Sequence, residues 1–220
     1  MIGSAITREL LLRALATRGE HDAGMLPLRE GMRLAAVVLP VRLGREPTVL
    51  MLVRAAALRD HAGEVGFPGG KQETSDVDLR ATALREAHEE VHLGPSALEI
   101  VGELTPVPVI TGRFCIHPFV ACVADDAQPK IASTEVARLM EVPLVPWLDG
   151  TRRYHAVVTT WRGYPMNIPH FALEGCVLYG ASAYLFHELL ARIAKALPLE
   201  LPPPTLTDQV PWGDRYPGVR

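Results

Sequence analysis

Cysteine is scarce in this chain, and neither sign of charge is in large excess. Three cysteines, Cys115, Cys122 and Cys176, stand far apart in 220 residues with no CxxC pair among them. An odd, sparse set builds neither a disulfide framework nor a zinc ribbon, and implies reduced thiols in a cytoplasmic setting. Each is expected to be a small buried apolar residue. The net charge of −3 offers no basic surface to nucleic acid or to an anionic membrane. No apolar run approaches the ~20 residues of a spanning helix, and no charged n-region precedes a signal core. The N-terminal ITRELLLRALATRG is amphipathic and Arg-bearing, as transit peptides are, yet Glu9, Glu20 and the early Gly19 favour a packed helix. The closing PGVR is no peroxisomal address. The rest is ordinary globular composition, 48% apolar and 21% charged, long enough for one domain with a sizeable core. The expected partner is a small molecule, not nucleic acid or membrane, and a homodimer is left open.

The most informative stretch runs from Gly69 to Leu93. A double glycine leads into one amphipathic helix, with Ser75 as the expected cap and Asp78 three residues on as its acidic partner. Leu79, Ala83, Ala87 and Val91 form the apolar stripe. Glu86 and Glu90 lie one turn apart beside it, and Glu89 stands next to them, all within an arc of roughly 100°. Glu90 is expected to be exposed. Like charges one turn apart repel, so the cluster makes best sense around a cation. Carboxylate oxygens are hard ligands that suit Mg²⁺ or Mn²⁺, particularly when a phosphate completes the shell. Acidic runs are often mere solvated helix faces; the Gly-Gly turn and the adjacent Arg85 weigh against that here.

A competing pattern overlaps. His88 to His92 reads HExxH, the helix of zinc proteases. No GxxH follows, because Pro95 and Leu98 occupy those places, and the two histidines project almost opposite to Glu86 and Glu90. They are expected to be ordinary surface or half-buried residues.

Around this helix the chain alternates. Ser4 to Arg18 reads as a helix with Ile6, Leu10, Ala14 and Leu15 inward, ended by Gly19. Leu34–Leu43 and Thr48–Val53 read as a hairpin, with Pro40 implying an edge or a bulge. Between Arg54 and Gly70 only Glu64–Phe67 has strand character. The rest is a loop carrying Arg54, Arg59 and His61, which with Lys71 are donors suited to phosphate oxygens. Gly69 and Gly70 permit close backbone approach. Further strands are expected at Leu98–Leu104, Ile116–Val123, Glu135–Met140, His155–Thr160 and Tyr164–Ile168, with Thr111-Gly112-Arg113 as a loop over the site. Gly180–Leu197 is the clearest later helix, and the proline-rich tail is expected to lack regular structure.

Gly70, Asp76, Arg85, Glu86, Glu89 and Glu90 resemble the Nudix box: a glycine, a distant acid, then Arg-Glu-x-x-Glu-Glu-x-Gly. The acid-to-arginine spacing is one residue longer than the general pattern, and His92 replaces the last glycine. That longer spacing is typical of the coenzyme A pyrophosphatase branch, whose upstream signature resembles RSxxLRxHxGQVSFPGG. Arg54, Leu58, Arg59, His61, Gly63, Val65, Phe67, Pro68, Gly69 and Gly70 match it in register; Ala55, Glu64 and Gly66 depart from it. EVARLMEVPL and LYGASAYL resemble later segments of the same branch, so the resemblance spans roughly Leu34 to Leu197.

The resemblance implies an α/β protein of the Nudix fold, an α/β/α sandwich with a mixed β-sheet. The chain is expected to be a single domain over 1–220, with its core at 34–197, an N-terminal helix at 4–18 and a tail at 198–220. It further implies metal-assisted hydrolysis of the coenzyme A diphosphate to 3′,5′-ADP and 4′-phosphopantetheine or its acyl form. Glu86, Glu89 and Glu90 would hold Mg²⁺ or Mn²⁺, Arg85 would orient them, and Glu135 would serve as base or supporting acid, with Glu174 a weaker candidate. Arg54, Arg59, His61, Gly69, Gly70 and Lys71 would bind substrate, Arg59 being the first choice for the 3′-phosphate and Arg54 or Lys71 the alternatives. Hydrolysis of ADP-ribose, NADH or a nucleoside triphosphate is the second reading. A nucleotide sensor without turnover is the third, against which the intact Arg85, Glu86, Glu89 and Glu90 set speaks.

Overall fold

The computed structural model describes residues 1–16, 31–109, 112–161 and 164–213. The expected helix stop at Gly19, Thr111 of the loop over the site and the Arg162–Gly163 hairpin tip lie outside them. In chain order the first elements are α1 (Ile2–Ala5), α2 (Arg8–Leu15), β1 (Arg33–Arg42), β2 (Thr48–Arg54), β3 (Val65–Gly66), β4 (Gly69–Lys71) and α3 (Leu79–Val91). Then come β5 (Leu98–Glu103), β6 (Val107–Pro108), β7 (Phe114–Val123), β8 (Val136–Pro143) and α4 (Val145–Leu148). The last are β9 (His155–Trp161), β10 (Tyr164–Leu173), β11 (Cys176–Leu178), α5 (Gly180–Ala196) and β12 (Thr205–Leu206).

Strands β1 to β8 form one mixed sheet centred on β1, which runs parallel to β7 and antiparallel to β2 and β4. Alternate residues of these strands feed two cores. Ala36, Val38, Leu50, Leu52, Phe119 and Ala121 face α3 through Ala83, Ala87 and Val91. The short alanines on both sides let the helix backbone approach the sheet closely. Leu39, Val41, Val49 and Met51 face the opposite way, onto Leu10 and Leu11 of α2, Trp147 of α4 and Phe186 and Leu189 of α5. The result is the expected α/β/α sandwich with a mixed sheet.

Three expectations need correction. The N-terminal helix is broken in two, because the Thr7 side chain accepts from Leu10 N–H and starts a new helix there. Pro40 lies inside the central strand. It is tolerated because it falls where β4 has left β1 and β2 has not yet joined, so no ladder donor is lost. The tail is not irregular throughout. Thr205 and Thr207 donate to Tyr154 O and Ala156 O, adding β12 alongside β9 in a smaller sheet ordered β11-β10-β9-β12. Trp212, 4% exposed, packs against Val157, Met166 and Ile168.

Candidate active site

The cleft arises where the sheet opens. Strands β1 and β2 pair only through Val41–Val49 and Arg42–Thr48, then separate. Into the gap go β3, paired to β2, and β4, paired to β1. A cleft of about 1130 Å³ lies at this opening, and every metal-holding, catalytic and phosphate-binding residue expected from the sequence lines it, Glu174 excepted.

The two glycines of β4 make the floor. A Cβ on Gly69 would overlap Ala36 O and Val37, and one on Gly70 would overlap the Glu86 carboxylate. Without side chains there, α3 brings Glu86 and Glu90 up to the sheet. Glu90 Oε2 accepts from Gly69 N–H at 3.0 Å, and the residue is 6% exposed, contrary to the expected exposure. Burial pushes its pKa up to about 7; the Gly69 N–H opposes this and the Glu86 charge adds to it. The Glu86 pKa is also raised, by burial first, with Arg85 opposing.

Arg85 organises the helix start. Its Nε and Nη2 grip the two Asp76 oxygens at 3.0 Å each, Nη1 reaches Glu86 and Glu89 at 3.1 Å, and Nη2 donates to Lys71 O at 3.2 Å. This bidentate pair holds the Asp76 carboxyl well below the usual carboxylate range. The cap is Asp78, which accepts from Ala81 N–H at 2.7 Å, and not Ser75. Asp76 closes a turn on Glu73 N–H and binds Arg85, which leaves Ser75 exposed three residues too early. At the other end His92 takes the left-handed conformation, φ 59°, in which a glycine is the usual helix end.

Arg54, at the end of β2, pairs with Glu135 at 3.1 Å, and its buried Nε has no hydrogen-bond partner among the described residues. His61 Nδ1 lies 2.9 Å from Glu64, so the glutamate that departs from the branch signature acts on His61 and raises its pKa. Arg59 and Lys71 are exposed at the cleft.

His88 and His92 are exposed and stacked on each other at 5.6 Å, away from the cleft. Glu174 sits in the turn between β10 and β11 and does not line the cleft. Sequence reasoning missed Arg33, Phe114, Met166, Ile168, Tyr179 and Trp212, which all line it. Arg33 opens a strand, a weak signal; the others carried none, since their partners are remote in sequence.

Among the described residues no three His, Cys, Asp or Glu side chains converge closely enough to hold a metal as they stand. Glu86 and Glu90 nevertheless form a desolvated set of hard ligands whose repulsion a divalent cation would relieve, and Glu89 need only swing from Arg85 to join them. The donor set fits a hard divalent ion.

The family model and the relatives of this chain define the class, a hydrolase of phosphoanhydride bonds that uses divalent metal ions. The NUDIX domain model matches residues 31–160, more than half of the chain, and the chain belongs to the Nudix family. Its relatives include proteins described as the uncharacterized Nudix hydrolase NudL. That of Enterobacter sp. (strain 638) is 37% identical over 73% of this chain and 83% of the relative. That of Cronobacter sakazakii is 38% identical over 74% and 84%. A MutT/nudix family protein from Enterococcus faecalis superposes with a TM-score of 0.50 at 12% identity, covering 78% of this chain and 70% of that one, a likeness of fold alone. Among the described residues no helix is long and apolar enough to cross a membrane.

Proposed function

We propose that this chain hydrolyses the diphosphate of coenzyme A or its thioesters, releasing 3′,5′-ADP and 4′-phosphopantetheine or its acyl form. The observation that carries the reading is the Arg54–Gly70 loop. Its residues resemble the coenzyme A branch in register and border the same cleft as Glu86, Glu89 and Glu90. Glu86, Glu89 and Glu90 would hold Mg²⁺ or Mn²⁺, which when bound neutralises diphosphate charge and acidifies the attacking water. Arg85 keeps Glu86 and Glu89 aligned through its grip on Asp76. Glu135, whose charge reaches Glu90, takes the proton of the water as it attacks phosphorus. Arg54, Arg59, His61 and Lys71 donate to phosphate oxygens, and the Gly69–Gly70 floor lets the Glu86 carboxylate reach the sheet beside them. A cytoplasmic setting belongs to this reading, supported by three unpaired cysteines.

The test is a panel of coenzyme A, acetyl-coenzyme A, ADP-ribose, NADH and a nucleoside triphosphate with Mg²⁺ or Mn²⁺, with products read by mass. Coenzyme A is expected to be cleaved to 3′,5′-ADP with the highest kcat/KM. Equal or better cleavage of ADP-ribose overturns the substrate assignment and leaves the Nudix hydrolase.

A further inference from the structure

The cleft has a second cationic flank, at the start of β1. The Arg33 guanidinium carbon lies 5.3 Å from the centre of the Phe114 ring, and Lys71 Nζ lies 6.0 Å from the same centre. The sheet register explains this convergence. Arg33 stands opposite Phe114 in the parallel β1–β7 pair, and Lys71 stands opposite Ala35, two residues further along β1. Residues two apart share a face, so Arg33, Lys71 and Phe114 rise from one side of the sheet. Among the described residues neither cation has an ion-pair partner, whereas Arg54, His61 and Arg85 do. Two unpaired like charges drawn to one ring repel each other, and an anion between them relieves the repulsion. The ring adds an apolar platform of the kind a base stacks on.

Distance separates this flank from the reacting diphosphate. Gly70, which admits the Glu86 carboxylate, stands opposite Ala36. Arg33 is three residues from Ala36, or about 10 Å along the strand at ~3.3 Å per residue. That sets the Arg33 end of the flank apart from diphosphate oxygens held at Glu86, with Lys71 between the two, and suits a further phosphate one ribose away.

We propose that Arg33 and Lys71, with Phe114, form a subsite for a phosphomonoester on the nucleoside end of the substrate. The proposal rests on the coenzyme A reading and deepens it, since that substrate carries a ribose 3′-phosphate. It moves this role from Arg59, which follows β2 beyond the β3–β4 wedge, to the opposite flank of the cleft.

Calorimetric titration of the full chain with adenosine 3′,5′-bisphosphate and with AMP, both in EDTA, tests it without reading turnover. Wild type is expected to bind the bisphosphate at least about fivefold more tightly than AMP. Arg33→Gln is expected to bring that ratio close to one while keeping the AMP affinity, and Arg33→Lys to retain most of it. Arg59→Ala is expected to lower both affinities in proportion. Equal binding by wild type overturns the proposal, as does a preference that survives Arg33→Gln or is lost in Arg59→Ala. A chain that fails the hydrolysis panel yet shows the Arg33-dependent preference separates the failure of the substrate assignment from that of the subsite.

Discussion

A carboxylate raised to about 7 by burial carries a pH-dependent cost to the fold. Folded, metal-free protein keeps the Glu90 proton up to that value, while the unfolded chain loses it near 4.5. The cost is therefore absent below about pH 4.5, grows as pH rises toward 7, and is complete above it. Glu90→Gln removes the ionisation and keeps an acceptor for Gly69 N–H. In EDTA the variant is expected to be more stable than wild type at about pH 8, by on the order of 2–3 kcal/mol, and no more stable at about pH 4.5. Thermal melts at the two pH values check this, and a gain equal at both would exclude burial as its cause. With metal present, turnover should fall more than about a hundredfold. His61 titrates with the opposite sign. The hydrogen bond that His61 donates to Glu64, above all, raises its pKa over the ordinary 6.5, against burial. The His61–Glu64 attraction is thus fully present below that ordinary value and lost as pH rises through the raised one. A KM that climbs on the same limb is expected, because a cation facing the substrate phosphates is lost. Glu64→Gln should shift this climb to lower pH, and an unmoved pH–KM profile would assign it to another group.

The element that carries the chemistry, α3, was legible because its signals are local. The stripe of Leu79, Ala83, Ala87 and Val91 and the spacing of Glu86, Glu89 and Glu90 follow from the 3.6-residue repeat alone. The helix start was not legible, since Asp76 is drawn away to Arg85 and capping falls to Asp78. The strand facing α3 is as demanding as the helix. Gly70 needs no left-handed backbone, so Gly70→Ala should leave the sheet intact by circular dichroism. Its new Cβ would occupy the place of the Glu86 carboxylate. The expected result is a loss of kcat/KM of about a hundredfold. An active Gly70→Ala enzyme would mean that Glu86 does not work from that position.

At the scale of the whole molecule, the tail closes the small sheet and lends the cleft a wall. Trp212 fills the core of Val157, Met166 and Ile168, and its ring centre is 6.2 Å from that of Tyr179. Trp212→Ala opens a cavity there and should cost about 3–4 kcal/mol, read from urea unfolding. KM should rise more than kcat falls, because Tyr179 and Met166 line the cleft and Glu86 does not depend on them. A loss below about 1 kcal/mol would mean that this part of the chain opens independently of the main core.

Composition, hydrophobic period and residue chemistry determined the alternation of strands and helices, the acidic helix, the cationic loop before it and the family resemblance. Each is a short-range pattern, written within a few turns or one loop. Tertiary structure decided what depends on neighbours remote in the chain. It buried Glu90 beneath Gly69, brought Arg33 and Lys71 to Phe114 through the β1–β4 and β1–β7 registers, and seated Trp212 on β10. Desolvation and Coulomb energy depend on distance through space, and sequence separation leaves that distance open until the sheet register is set.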